Sequence, residues 1–127
     1  MNKYEMKQKL GKLGESLASD YLAKKGFIIV EKNYRCFDGE IDIIAKRKDL
    51  LIIVEVKTRS RIDSEETLLS ITKSKQRKIS RATADFVEKN QQYSDYYIRF
   101  DVITVIKDTA LDEYSINHYD DAFSYLF

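Results

Sequence analysis

Three residues could do chemistry together in this sequence: Asp42, Glu55 and Lys57. Glu55 and Lys57 are two positions apart, so on a strand they project from the same face. Asp42 sits in the run Gly39-Glu40-Ile41-Asp42-Ile43-Ile44-Ala45. That run alternates, with Glu40, Asp42 and Ile44 on one side and Ile41, Ile43 and Ala45 on the other. If the intervening turn centres near residues 48 and 49, the two segments form an antiparallel hairpin with Asp42 opposite Glu55. Side chains opposed in this way have Cβ atoms ~4.5–5.5 Å apart. Two carboxylates at that range repel, and burial costs each of them hydration. A hard divalent cation, Mg²⁺ or Mn²⁺, relieves both penalties and is commonly held by one or two carboxylates plus water. Such an ion acidifies a bound water and draws charge from a phosphoryl oxygen, while a neighbouring lysine orients the water or stabilises charge building at phosphorus. The implied chemistry is metal-assisted hydrolysis of a phosphodiester.

The competing reading is a structural Glu–Lys pair at a sheet end, with Asp42 facing water. Glu-x-Lys alone is a weak signal, since Glu5-Met6-Lys7 repeats it in a polar helical stretch. Context separates the two copies. Glu55 follows the apolar run 50–54 and has an acidic strand just upstream.

The elements that must position these residues can be read from periodicity. Residues 5–25 predict a helix with Leu10, Leu13, Leu17 and Tyr21 on one face, stopped at Gly26. Residues 27–34, 40–45 and 50–58 predict strands, with an Asp38-Gly39 turn between the first two. A second helix is predicted over 73–90, with Ile79, Ala82, Thr83 and Phe86 along one side. Strands follow at 96–106 and, more weakly, 113–118. Asp120 is a candidate cap for a last short helix ending at Phe127. The order α-β-β-β-α-β-β-α implies an α/β fold, a central mixed β-sheet flanked by helices. With no proline, repeat or linker-like tract, residues 1–127 read as a single domain.

One cysteine, Cys36, excludes an intramolecular disulfide, and one histidine, His118, is too few for a Cys/His zinc cluster. His118 reads as structural. Nothing resembles a signal peptide or a membrane span, so the simplest location is the cytoplasm. The net charge of +1 is unevenly spread: residues 1–94 hold 20 Lys/Arg against 14 Asp/Glu, and residues 95–127 hold 2 against 7. A basic front part of this kind can bind phosphate locally.

The run Asn33-Tyr34-Arg35 to Gly39-Glu40-Ile41-Asp42-Ile43-Ile44-Ala45, then Val54-Glu55-Val56-Lys57-Thr58-Arg59, resembles the bacterial YraN family. That family is similar to archaeal Holliday-junction resolvases and to the PD-(D/E)xK, restriction-endonuclease-like superfamily. Gly14-Glu15, Lys75-Gln76-Arg77 and Arg99-Phe100-Asp101-Val102 extend the resemblance over most of the chain. The resemblance implies a restriction-endonuclease-like fold, with Asp42 and Glu55 as metal ligands, Lys57 as catalytic lysine and Glu15 completing the site. It implies a metal-dependent nuclease acting on structured or branched DNA. A resolvase that cuts two strands symmetrically would work as a homodimer. The alternative is a catalytically silent nucleic-acid-binding or adaptor module on the same fold.

Phosphate contacts are expected from Arg59, Arg61, Lys73, Lys75, Arg77 and Lys78, the last four clustered at the start of the second helix. Gln76 lies on the stripe of Ile79, Thr83 and Phe86, and either points toward the site or packs there. No base-reading motif is present, which favours recognition of nucleic-acid structure over sequence. A solvated helix face is the plainer reading of the same charge run.

Overall fold

A computed structural model of the chain describes residues 1–60, 69–108 and 110–127. Its elements are α1 (Lys3–Lys24), β1 (Ile28–Cys36), β2 (Gly39–Arg47), β3 (Leu50–Arg59), α2 (Lys73–Lys89), β4 (Tyr97–Asp108) and β5 (Glu113–Phe123). The five strands lie side by side in chain order. β3 and β4 are parallel and the other neighbours antiparallel, so the sheet is mixed, as expected. A parallel pair needs a crossover, and α2 lies in the segment that supplies it.

The sheet buries both faces. Ala18 and Leu22 of α1 pack on Ile43, Ala45, Ile52, Val54, Ile103 and Val105. Ile79, Ala82 and Phe86 of α2 pack on Ile44, Leu51, Ile53 and Phe100. The buried line on α1 is Gly14, Ala18, Ser19 and Leu22, flanked by the half-buried Leu17 and Tyr21. Leu13, expected on the packed face, is 42% exposed. Small residues form the contact because the helix lies close to the sheet: a Cβ on Gly14 would come within 1.9 Å of Thr58 Oγ1.

The last predicted helix is absent. β5 runs through residues 119–123, pairing Phe123 with Phe100, and the two rings stack at 5.0 Å. Asp120 caps nothing. Its neighbour Asp121 adopts a left-handed φ of 53° and donates its backbone N–H to the carboxylate of Asp101. That fully buried carboxylate also takes two bonds from Arg99, both at 2.9 Å, and meets His118 Nε2 at 2.8 Å. A partnered buried charge of this kind holds the chain in a strand where local signals suggested a turn into helix.

Candidate active site

The hairpin that carries the site turns where the sequence indicated, at Lys48 and Asp49, with Arg47 paired to Leu50. Its ladder runs back as far as Ile43 opposite Val54. Asp42 and Glu55 are the next residues, just past the last pair. The expected alternation of β2 breaks there. Ile41 packs with Ile44 on the α2 side, whereas Ile43 and Ala45 pack on the α1 side. Strict alternation would have put Ile41 with Ile43. As the strands part, the Asp42 carboxylate reaches across and accepts the Val56 N–H through Oδ2 at 2.8 Å. One Asp42 oxygen is thereby fixed against β3 beside Glu55.

Glu55 is buried, with 7% of its surface exposed, and its Oε1 lies 2.5 Å from Lys75 Nζ. Burial pushes the Asp42 carboxyl up to about 7. The Glu55 charge adds to that shift and Glu15 contributes, while the Val56 bond and Lys75 oppose it. Lys57 is also buried, and its ammonium donates to the Ser70 carbonyl at 2.5 Å. Burial, with Arg59 and Lys75 nearby, holds Lys57 below the usual amine range, against the pull of Glu55. Burial works against the Lys75 charge, but its hydrogen bond to Glu55 and the charges of Glu55 and Asp42 hold it above the ordinary value.

Asp42 and Glu55 both open onto one recess of about 760 Å³. Lys75, Lys78 and Ile79 of α2 form one wall, and residues 35–40 of the β1–β2 hairpin form the other. The two walls touch at Gly39. A Cβ there would lie 2.8 Å from the Lys78 carbonyl oxygen, so only glycine lets the hairpin seat this closely.

Among the described residues, no group of three or more His, Cys, Asp or Glu side chains is gathered tightly enough to cage a metal. The donor set is two hard carboxylates on an open recess. That suits Mg²⁺ or Mn²⁺, which keep several waters and take one or two carboxylates from the protein. It does not suit an ion that requires a closed, all-protein shell.

Lys57 does not line the recess, and the remaining predicted residues are dispersed. Glu15 is half-buried on α1 and does not line the recess, although its charge reaches Asp42. Arg59 is exposed at the end of β3, with Nη1 on the Thr58 carbonyl. Arg61 lies outside the described residues. Lys73, Arg77 and Lys78 are exposed on α2. Gln76 donates its amide to the Ile71 carbonyl at 2.8 Å and does not line the recess. Lys75, expected as a phosphate contact, lies instead against Glu55. Sequence reasoning missed that pairing, and it missed Phe37 and Gly39 as recess residues. The Asp38-Gly39 turn signal marked a bend without showing that the bend folds over α2.

Among the described residues, no helix is long and apolar enough to cross a membrane. The profile of a family described as "Uncharacterised protein family UPF0102" matches residues 14–105, a span that holds Glu15, Asp42, Glu55, Lys57 and Lys75. A UPF0102 protein of Clostridium botulinum (strain Loch Maree / Type A3) is 41% identical over 114 residues, covering 90% of this chain and 93% of the relative. Another, from the Kyoto / Type A2 strain, is 42% identical over the same length. A UPF0102 protein of Dictyoglomus turgidum is 42% identical over 99 residues, 78% of this chain and 83% of the relative. A family profile over residues 14–105 and relatives of this length and identity place the chain in the UPF0102 (YraN) family.

Proposed function

We propose that the chain is a Mg²⁺- or Mn²⁺-dependent nuclease-like protein that hydrolyses phosphodiester bonds in structured or branched DNA. One observation carries this reading: Asp42 and the buried Glu55 open onto a single recess, with the buried amine of Lys57 two residues beyond Glu55. Asp42 and Glu55 would hold the ion, which when bound supplies Lewis acidity and an acidified water. The protein's own groups do the rest. The Val56 N–H fixes one oxygen of Asp42, so the carboxylate enters the reaction already oriented. Lys57, depressed by burial, gives up its proton near neutral pH more readily than a solvated lysine and so is better placed to act as a base toward water. Its charged form offsets negative charge developing at phosphorus. Lys78 at the recess, with Lys73 and Arg77 on the exposed face of α2, receives the flanking phosphates.

The test is cleavage of branched, flapped, single-stranded and duplex DNA with Mg²⁺ or Mn²⁺, using Asp42→Ala and Lys57→Met as controls. Metal-dependent cutting that disappears in both variants is the expected result. Cutting that survives in both would overturn the reading.

A second reading has its own observation. Lys75 already neutralises Glu55 without any ion, as in a catalytically silent nucleic-acid-binding or adaptor module. Salt-sensitive DNA binding, with no cleavage under either metal and no measurable metal binding, would favour that module.

A further inference from the structure

Phe37 is the most exposed large apolar side chain of the described residues, at 103% of its reference surface. It stands at the turn joining β1 to β2, where Cys36 pairs with Gly39 across Phe37 and Asp38. Burying a phenylalanine ordinarily contributes roughly 1.5–3 kcal/mol, and this one contributes nothing to the fold. Turn geometry does not require it either, since tight hairpin turns favour Gly, Asn and Asp. The backbone that carries the ring is nonetheless held in place. On one side Cys36 packs against the α2-side core, and on the other Gly39 abuts the Lys78 backbone. Phe37 therefore stands at a fixed point on the rim of the recess that holds Asp42 and Glu55.

We propose that Phe37 is a stacking platform for an unpaired base, so that the recess takes single-stranded or locally unpaired nucleic acid in preference to intact duplex. The proposal rests on the nuclease-like reading of the same recess. Base faces are offered only by unpaired nucleotides, because in a duplex they are covered by their neighbours. Stacking of a base on an aromatic side chain is the sequence-tolerant way to hold such a strand.

The charges around the ring point to a nucleic acid. The recess is lined by the cations Arg35, Lys75 and Lys78 and by the carboxylates Asp38, Glu40, Asp42 and Glu55. Three against four gives a balance of −1 with all groups charged, which a bound divalent ion turns to +1. A phosphodiester is therefore admitted with the ion and opposed without it, which places the backbone at the carboxylates and a base beside Phe37. An apolar protein partner seated on Phe37 would have to strip water from these seven ionisable groups.

The sequence contains no tryptophan, so Phe37→Trp introduces a single indole reporter at the rim. The full chain carrying this change is titrated with a single-stranded oligonucleotide and with its duplex. The titrations are done in Ca²⁺, to hold the ion without turnover, and again in EDTA. The expected result is indole quenching by single strand in Ca²⁺, weak quenching in EDTA and none by duplex. Phe37→Ala should weaken single-strand binding roughly tenfold and leave duplex binding unchanged, while Phe37→Tyr retains the preference. Single-strand binding without quenching, or an equal loss for both DNA forms in Phe37→Ala, would overturn the proposal. So would a dimer that dissociates in Phe37→Ala with no preference for single strand. Quenching and preference without cleavage under any metal would uphold the platform and remove the nuclease reading. Cleavage that is indifferent to Phe37 would do the reverse. Failure to bind either DNA would overturn both.

Discussion

The Lys75 ammonium lies 2.5 Å from the Glu55 carboxylate, joining the start of α2 to the end of the apolar run of β3. Glu55 is buried, and a buried carboxylate needs a partner. Asp42 cannot be that partner, because its own charge opposes that of Glu55. A lysine from the facing helix fills the role, and it approaches the carboxylate where a shared cation would sit. On the metal-dependent reading proposed above, Lys75 takes the place of a divalent ion, and binding such an ion would require the ammonium to swing away. The freed side chain stays at the recess, where a substrate phosphate is its natural next partner.

Lys75→Met should then bind Mg²⁺ or Mn²⁺ more tightly than the unaltered chain. The pair is half exposed on the lysine side, so its worth is about 1 kcal/mol, equivalent to roughly fivefold in affinity. The same variant should be less stable without metal, since Glu55 is left alone, and should gain more stability when metal is added. Isothermal titration with Mn²⁺ reads the first effect and thermal melting with and without metal reads the second. Equal metal affinity in both proteins would show that Lys75 does not compete for the site.

The carboxyl of Asp42, pushed up to about 7 by burial and by Glu55, sets the pH response of the metal-free protein. Its folded value lies above its unfolded value of 3.8, so the folded state binds the extra proton. Stability from this group is therefore greatest at low pH and is lost as pH rises between about 4 and 7. Asp42→Asn keeps an acceptor for the Val56 N–H but carries no charge. It should be more stable than the unaltered chain at pH 8, by a few kcal/mol at most, and should lose that advantage toward pH 5. Urea denaturation in EDTA across this range checks the sign. Metal binding should weaken about tenfold per unit below pH 7, because the ion competes with the proton.

Much of this arrangement could be read from residue order. The hairpin register follows from the turn at Lys48 and Asp49, because alternation fixes which residues meet once the turn is set. Asp42 thus arrives beside Glu55 as expected, yet alternation also predicted Ile41 on the wrong face. Period-two patterning has no means of showing where a ladder ends, and it is the end of the ladder that frees Asp42 to reach Val56. Lys75 looked like one more cation in a basic run. Its pairing with Glu55 depends on where α2 crosses the sheet, and no local pattern encodes that crossing. The final helix failed for a similar reason. Asp120 and Asp121 carry the local chemistry of a cap, but long-range bonds to the buried Asp101 decide the outcome.

Gly14 tests how the first helix is seated. An added methyl would meet Thr58 Oγ1 at 1.9 Å and Thr58 Cβ at 2.9 Å, so helix or strand must shift. Gly14→Ala raises intrinsic helix propensity by about 1 kcal/mol. The clash should outweigh that gain and leave a net loss of roughly 1–2 kcal/mol in urea denaturation. Adding Thr58→Ala should recover part of it, because the nearest atoms, Oγ1 and Cγ2, are removed while Cβ remains. A stabilised Gly14→Ala single variant would mean that α1 does not pack this closely.

Asp101 should dominate the acid side of the stability profile. Burial raises its carboxyl, but bonds from His118, Arg99 and the Asp121 N–H outweigh that and hold it below the ordinary carboxylate range. With the folded value depressed, its contribution is present above the unfolded value of 3.8 and is lost as pH falls further. This is opposite in sign to Asp42, so the metal-free chain should be most stable in the mildly acidic range between the two effects. Asp101→Asn removes the charge that compensates Arg99 and should cost about 3 kcal/mol at neutral pH, the low end for a buried pair, because Arg99 keeps some contact with water. Its urea midpoint should then change little between pH 5 and 3, where that of the unaltered chain falls. Parallel acid loss in both proteins would assign the effect to other carboxylates and remove Asp101 from its place as the anchor of β5.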